Sequence, residues 1–329
     1  MPEGHSVHRI ARQFALHFVG HEVAASSPQG RFAAGAAQLD GQVMTAANAV
    51  GKQLYLDFDH DLVLRVHLGI YGAWDFAGDI TADATSSEQA MASAAGRIGQ
   101  TTMRGTVMNG EAEDSLHSIG APRRTRLRMA EQEQLGEQLD TFPPEPVGQV
   151  RVRLLTDAAV ADLRGPTACE VLTPAQADAV IAKLGPDPMT TDPDEGEERF
   201  VAAVRRKPTP IGLLLMDQSV VAGIGNVYRA ELLFRANLNP HTPGRLVPDD
   251  ILRQLWRDWT HLLTVGVTTG QMLTMDGLEG DAYLAALASR DDRHWVYHRA
   301  GLPCRVCGTH VVMELAAARK LYWCPRCQS

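Results

Sequence analysis

Four of the five cysteines lie in the last 26 residues of this 329-residue chain, as two Cys-x2-Cys pairs. The first pair is Cys304 and Cys307, and 16 residues separate it from the second pair, Cys324 and Cys327. Two such pairs present four thiolates to one tetrahedral ion. We therefore predict one Zn²⁺ bound by all four sulfurs, structural because no coordination position stays open. Two disulfides are the alternative, which a reducing cytoplasm disfavours.

The amino terminus, Met1-Pro2-Glu3, offers a second kind of chemistry. Removal of Met1 would leave Pro2 with a free secondary amine. An α-amino group has a pKa of about 8, so part of it is unprotonated at neutral pH and can attack an aldehyde-like carbon. Glu3 could move protons at the reacting atoms. Many chains begin Met-Pro without consequence, so this pair alone does not establish an active site.

A third feature is the hinge 222–226, AGIGN, between two apolar runs at helical spacing. Its two glycines permit a sharp turn, and Asn226 is a good N-cap for the helix that follows. Unpaired N–H groups at a helix N-terminus bind anions, and Arg229 and Arg235 add positive charge beyond it. The hinge therefore predicts a phosphate-binding site. The alternative is an ordinary helical hairpin with a glycine turn.

The elements before residue 78 must position the amino terminus. Apolar spacing predicts an amphipathic helix over His8–Val19. Alternating or apolar runs then predict strands over Val43–Val50, Gln53–Phe58 and Leu62–Leu68. Lys52 falls at the tip of the first hairpin and should project into solvent. The alternative is a surface lysine with no functional role.

Residues 78–148 differ from the rest in composition, with few apolar residues and no periodicity. They predict an insertion, partly disordered, inside a β-rich domain, with a short strand over Arg123–Met129. Clean alternation resumes at Val150–Leu155. Two further strands, over Val160–Leu163 and Cys169–Leu172, precede a helix that starts at Thr173-Pro174 and ends near Leu184.

The Pro-, Asp- and Glu-rich segment 185–198 predicts a linker between two domains. Helical patterns follow at Arg199–Arg205, Ile211–Asp217, Gly225–Phe234, Asp249–Gly266 and near Tyr283. Between the cysteine pairs, Val311–Leu315 and Lys320–Trp323 predict a hairpin. The expected organisation is an N-terminal domain over 1–184, the linker, a helical domain over 199–290 and a zinc finger over 291–329.

The net charge of −8 argues at first against a polyanion as the partner. The charge is unevenly distributed, since residues 199–245 carry +5 and residues 290–329 carry +4. A local field, not the total charge, steers a polyanion. No uncharged apolar run is long enough to span a membrane and the first residues lack a signal-peptide core, so we expect a cytoplasmic protein.

Together these pieces resemble the formamidopyrimidine-DNA glycosylase and endonuclease VIII family of base-excision repair enzymes. The motifs that carry the resemblance are, in order, MPEG, GKQLYL, LLLMDQSVVAGIGNVYRAELLFR and ARKLYWCPRCQ. The resemblance implies an α+β fold: an N-terminal two-sheet β-sandwich with flanking helices, then a helical domain with a helix–two-turn–helix and a four-cysteine zinc hairpin. It implies a monomer acting on double-stranded DNA with damaged bases or abasic sites.

The resemblance also implies roles for single residues. Pro2 would attack the sugar C1′ and form a Schiff base, with Glu3 as acid and base. Lys52 matches the family's hairpin lysine at the sugar–phosphate. Asn226 matches its phosphate-holding asparagine, and Arg319 the arginine of the zinc hairpin that assists elimination. Strand cleavage would proceed by β- and then δ-elimination, with Arg229 and Lys320 as further DNA contacts.

Within the family, MPEG, HLGIYGAW and YWCPRCQ resemble the endonuclease VIII branch, in a form similar to an actinobacterial subgroup. Oxidised pyrimidines would then be the main substrates, and Ile70 and Tyr71 would fill the gap left by the flipped base. Ser6 and Gly69 depart from the family pattern. Two other readings stay open: a lyase for abasic sites or single strands with little glycosylase activity, and a non-catalytic zinc-containing protein that binds nucleic acid.

Overall fold

The computed structural model describes residues 2–81, 118–121 and 142–329 of the chain. The chain divides into two compact units. The first comprises Met1–Ile181 with Thr268–Gly270, and the second comprises Ala182–Val267 with Gln271–Ser329. Among the described residues, no helix is both long enough and apolar enough to cross a membrane.

The first unit is built on antiparallel strands. Their bounds are β1 Glu22–Ser26, β2 Gln42–Val50, β3 Gln53–Phe58, β4 Leu62–His67, β5 Ala73–Gly78, β6 Ser118–Gly120, β7 Val150–Leu155, β8 Ala159–Arg164 and β9 Ala168–Leu172. Their order is β6-β5-β8-β7-β1-β2-β3-β4-β9. The β1–β2 pairing covers only two residue pairs, so β1 joins two larger groups of strands. Apolar side chains of both groups share one core, which makes the unit a two-sheet β-sandwich.

In the described part of this unit, the helices that flank the sandwich are α1 Gly4–His17, α2 Ala33–Leu39 and α3 Pro174–Ile181. Helix α1 inserts Val7, Ile10 and Phe14 into the core, and the Phe14 ring meets Trp74 edge-on at 4.8 Å. The helix starts four residues earlier than the predicted His8–Val19. The apolar periodicity misses this first turn because its side chains are polar, although they are buried.

The second unit is helical apart from one hairpin. Its α-helices are α4 Pro193–Arg205, α5 Ile211–Leu214, α6 Asn226–Arg235, α7 Asp249–Thr269 and α8 Gly280–Ala288. Helix α4 begins inside the predicted linker, because Asp192 caps it and accepts hydrogen bonds from the N–H groups of Asp194 and Glu195. The acidic run is therefore a first helical turn, where negative charge is favourable.

The zinc hairpin pairs β10 Val312–Ala316 with β11 Arg319–Trp323, close to the predicted bounds. Two residues, Ala317 and Ala318, connect the strands with φ of 49° and 62°. Two successive positive φ values are typical of the tight hairpin turn whose twist matches that of its strands. The predicted strand over Arg123–Met129 and most of the predicted insertion lie outside the described residues.

Candidate functional site

The amino terminus is enclosed by the first unit. Pro2 is buried, and Glu3 has no exposed surface. Glu3 is the N-cap residue of α1, and its carbonyl accepts the N–H of Ser6 at 3.1 Å. Terminal residues of a domain are usually poorly ordered, and a buried carboxylate is costly. Both observations set this terminus apart from an ordinary chain end.

Two polar residues beside it, His5 and Ser6, are also buried. The Ser6 hydroxyl and His5 Nε2 lie 3.2 Å apart. Burial, with the nearby charge of Arg9, lowers the pKa of His5 to about 3. The imidazole is therefore neutral at physiological pH, and the first turn of α1 carries no positive charge from this residue.

Lys52 lies in the turn between β2 and β3, as predicted. Its neighbour Gln53 pairs with His67 at the end of β4, so Lys52 and His67 share one end of the sheet. Burial, followed by the positive charge of Lys52, lowers the pKa of His67. His67 was not predicted as a site residue, because its place near Lys52 depends on the register between β3 and β4, which local patterns do not give.

The strand β4 leads into a loop that carries Ile70 and Tyr71, which are 55% and 43% exposed. Exposed apolar side chains are common on protein surfaces, so this pair alone does not establish a binding role. Gly69 begins the loop with φ of +66°, and a Cβ there would lie 1.8 Å from Thr167 Oγ1. Only glycine fits this close approach, so the departure at Gly69 follows from the packing against Thr167.

In the second unit, the hinge between α5 and α6 is held by Gln218. Its side-chain amide donates to the carbonyls of Met216 and Ile224, each at 3.1 Å, and its oxygen accepts the N–H of Gly223 at 3.0 Å. Gly223 has φ of +92°, as its place in a sharp turn requires. The N–H of Gly223 is thus paired within the hinge, and the Gln218 side chain holds the turn in shape.

Asn226 is the first residue of α6, and Gly225 takes the N-cap position predicted for Asn226. The Asn226 side chain is mostly buried and reaches across to the zinc hairpin, where its Nδ2 donates to the Lys320 carbonyl at 2.7 Å. The same carbonyl accepts a hydrogen bond from Arg229 at 3.0 Å. The start of α6 is therefore tied to β11 by two side chains.

Arg229 was expected to add exposed positive charge, and the structure corrects this. Its side chain has no exposed surface, because α6 turns it inward, where it also donates to Asn226 Oδ1 and to the Gly212 carbonyl. Arg235 is not available either, because its charge is neutralised by ion pairs with Asp258 and Asp276. The count of +5 over residues 199–245 thus overstates the charge offered to a partner.

The four cysteines predicted to bind metal converge at the base of the hairpin. Their sulfur atoms all lie within 4.8 Å of one another, and the Cys304–Cys327 and Cys307–Cys324 pairs are 3.9 and 3.5 Å apart. A tetrahedral Zn²⁺ with Zn–S bonds of about 2.3 Å needs sulfurs about 3.8 Å apart. The donor set therefore fits zinc. At the opposite end, Arg319 and Lys320 are exposed.

Three family models match successive parts of the chain. They are the formamidopyrimidine-DNA glycosylase N-terminal domain over residues 1–133, the H2TH domain of the same enzymes over 184–276, and the zinc finger found in FPG and IleRS over 301–329. The first covers the buried amino terminus and the Lys52 hairpin, the second the hinge, and the third the cysteine cluster.

Full-length relatives agree with these matches. The chain is 36% identical over 331 residues to endonuclease 8 1 of Mycobacterium tuberculosis, with both chains covered completely. It is 33% identical over 156 residues to formamidopyrimidine-DNA glycosylase of Thermus thermophilus, which covers 45% of this chain and 55% of that one. In fold it is similar to Lactococcus lactis formamidopyrimidine-DNA glycosylase in complex with DNA containing a benzylated Fapy-dG, at a TM-score of 0.68, 18% identity and full coverage of both chains.

The sandwich, the hinge helices and the four-cysteine hairpin define a DNA glycosylase of base-excision repair. The chain belongs to the formamidopyrimidine-DNA glycosylase and endonuclease VIII family, as its motifs predicted. Enzymes of this family combine DNA glycosylase with abasic-site lyase activity.

Proposed function

We propose that this enzyme removes oxidised pyrimidines from duplex DNA and then cleaves the abasic site by β,δ-elimination. The observation that carries the proposal is the buried Pro2-Glu3 terminus at the start of α1. Glutamate is rarely fully buried, and here it follows directly on the residue whose nitrogen would be the nucleophile.

The reaction begins when the Pro2 nitrogen, freed by loss of Met1, attacks C1′ of the damaged nucleoside. The glycosidic bond breaks, and the base leaves with its electron pair and a proton. Glu3 supplies protons and accepts them in base loss and opening of the sugar ring. The product is an iminium ion between Pro2 and C1′, a stronger electron sink than a neutral imine.

The iminium acidifies the C2′ proton, and this links lyase activity to a secondary-amine nucleophile. Loss of that proton expels the 3′ phosphate oxygen in β-elimination. Loss of a further proton then expels the 5′ phosphate oxygen in δ-elimination. Water finally releases the sugar fragment from Pro2.

Phosphate binding is assigned to four residues. Lys52 contacts or protonates the sugar–phosphate from the first unit. Asn226, Arg319 and Lys320 bind flanking phosphates from the second unit. The Asn226 amide nitrogen has two N–H groups, and the Lys320 carbonyl accepts one of them, so the other can donate to a phosphate. Because Arg229 is buried against Asn226, we assign it to positioning that amide, not to direct contact with DNA.

Ile70 and Tyr71 are proposed to fill the gap left by the flipped base, which their exposure at a loop tip supports. The preference for oxidised pyrimidines is supported by the full-length similarity to an endonuclease 8, since the formamidopyrimidine relatives align over less than half of this chain. One structural Zn²⁺ would stiffen the hairpin. We propose that the enzyme acts as a monomer at the bacterial nucleoid.

Borohydride trapping tests this proposal. Duplexes would carry an oxidised pyrimidine, 8-oxoguanine or a preformed abasic site, and Pro2→Gly and Glu3→Gln would be run beside the parent enzyme. We expect a covalent adduct with the pyrimidine lesion that is lost in Pro2→Gly. An adduct only at the preformed abasic site would reduce the protein to a lyase, and no adduct with any duplex would refute the assigned chemistry.

A further inference from the structure

The segment just before the first zinc cysteine is held rigidly by one buried carboxylate. Glu231 has no exposed surface, and its oxygens accept the backbone N–H groups of Trp295, Val296 and Tyr297 at 2.7, 2.9 and 2.8 Å. A carboxylate with three backbone donors fixes the path of the chain at this point. The backbone immediately before His298 is therefore held in place.

His298 itself has an unusual backbone. Its φ of 60° lies in the left-handed region, which glycine adopts freely and which costs other residues energy. Its ring stacks on that of Tyr297 at 4.4 Å and 19°, and lies 5.6 Å from Tyr322 of β11. The residue is exposed, so the stack does not bury it in a core. What sets His298 apart from other exposed residues with this backbone is the ring stack, which fixes the imidazole at the surface next to β11.

The charges around His298 are mainly positive. Burial, then Arg290 and Lys320, lower its pKa, and Asp291 opposes them. The imidazole carries an N–H donor whichever ring nitrogen holds the proton, and the charges of Arg290 and Lys320 act on it. Tyr322, whose ring His298 contacts, lies two residues beyond Lys320 on β11. The Lys320 carbonyl in turn binds Asn226, so His298 packs on the strand that carries proposed phosphate contacts.

We propose that His298 is a further DNA-binding residue, whose ring N–H donates to a backbone phosphate that Arg290 and Lys320 attract. This inference rests on the proposed function and adds a phosphate contact to it. The stack on Tyr297 holds the imidazole plane, so the donor loses little freedom on binding.

The test is the affinity of the full-length, zinc-loaded protein for a duplex with a tetrahydrofuran abasic-site analogue, measured by fluorescence anisotropy. His298→Gly removes the ring and relieves the backbone, so its melting temperature should not fall, while binding should weaken by about tenfold for the loss of one hydrogen bond to a charged group. His298→Asn tolerates the same φ and keeps an N–H donor, and it should recover part of the loss.

The matched control is His60→Gly, because His60 is also exposed and has φ of 57°, but lies in the turn between β3 and β4. Its affinity should equal that of the parent protein. Binding by His298→Gly within twofold of the parent, or an equal loss in His60→Gly, would overturn the inference. Failure of the parent protein to bind or be trapped would instead refute the proposed function, so the two failures are distinguishable.

Discussion

The substitution Glu231→Gln probes a buried polar cluster in the second unit. Besides three backbone N–H groups, the carboxylate accepts the Thr274 hydroxyl at 2.6 Å. Glutamine has the same shape, so it leaves no cavity. With its amide nitrogen in the position of Oε2, glutamine would face the Trp295 N–H and could not accept from it. The Thr274 hydroxyl can instead accept from the amide and donate to the Arg293 carbonyl, so one of the four hydrogen bonds is lost.

The expected magnitude follows from these contacts. Hydrogen bonds to a charged group contribute about 1.5–3 kcal/mol each, which is the expected cost of losing one. A neutral amide is easier to bury than a carboxylate, which offsets part of the loss. We therefore expect destabilisation of about 1.5 kcal/mol, at the lower end of that range. A shift of this size lowers the melting temperature of a unit this large by about 3–6 °C.

The assay combines thermal unfolding with hydrogen exchange of the segment from Trp295 to Tyr297. Glu231→Gln should lower the melting temperature and speed exchange at the Trp295 amide, because that N–H loses its acceptor. The matched control is Glu195→Gln on α4, whose ion pair with Arg199 is exposed and should contribute less than about 1 kcal/mol. Equal melting temperatures for the two variants, or unchanged exchange in the segment, would refute the reasoning.

Three further predictions concern other parts of the molecule. Gly69→Ala should destabilise the first unit by about 1–3 kcal/mol in thermal unfolding, from left-handed backbone strain and the clash with Thr167, and adding Thr167→Ala should restore the part due to the clash. The free energy of unfolding should fall as the pH drops from about 6.5 towards 3, by up to about 1.4 kcal/mol per pH unit from His5, because the unfolded chain binds the proton that the folded site excludes. Arg229→Lys should weaken binding of abasic-analogue DNA and lower the melting temperature, since one ammonium cannot replace a guanidinium that bonds Asn226 and two carbonyls.

Each of these has a control of the same chemistry. Gly20→Ala has φ of +86° but no atom within 4 Å of the new Cβ, so it shows the backbone cost alone, and an equal effect at both glycines would exclude the clash. His5→Gln should flatten the pH dependence, and an unchanged slope would contradict the linkage. Arg206→Lys, at an exposed position, should behave like the parent protein, and an equal loss in both arginine variants would contradict a positioning role.

Much of the fold could be predicted from local patterns. The strands Gln53–Phe58 and Val150–Leu155 have their predicted bounds, because short runs rich in apolar residues and bounded by turn signals are typical of strands. The first turn of α1 could not be found this way, since two of its buried side chains, His5 and Ser6, are polar. Polarity signals exposure only on average, and here the tertiary contacts of a polar site override it.

The sequence by itself determined the zinc-ligand set, the hairpins and the glycine hinge, because each depends on residues close together in the chain. Only the tertiary structure decided the fates of Arg229 and Glu231, which read as ordinary charges of one amphipathic helix. Both are buried against partners more than 60 residues away in the chain. Arg229 binds Lys320, and Glu231 binds the segment from Trp295 to Tyr297. Burial and hydrogen bonding over such separations depend on packing that no local spacing encodes. The effect of the Lys52 charge on His67 depends on tertiary packing in the same way.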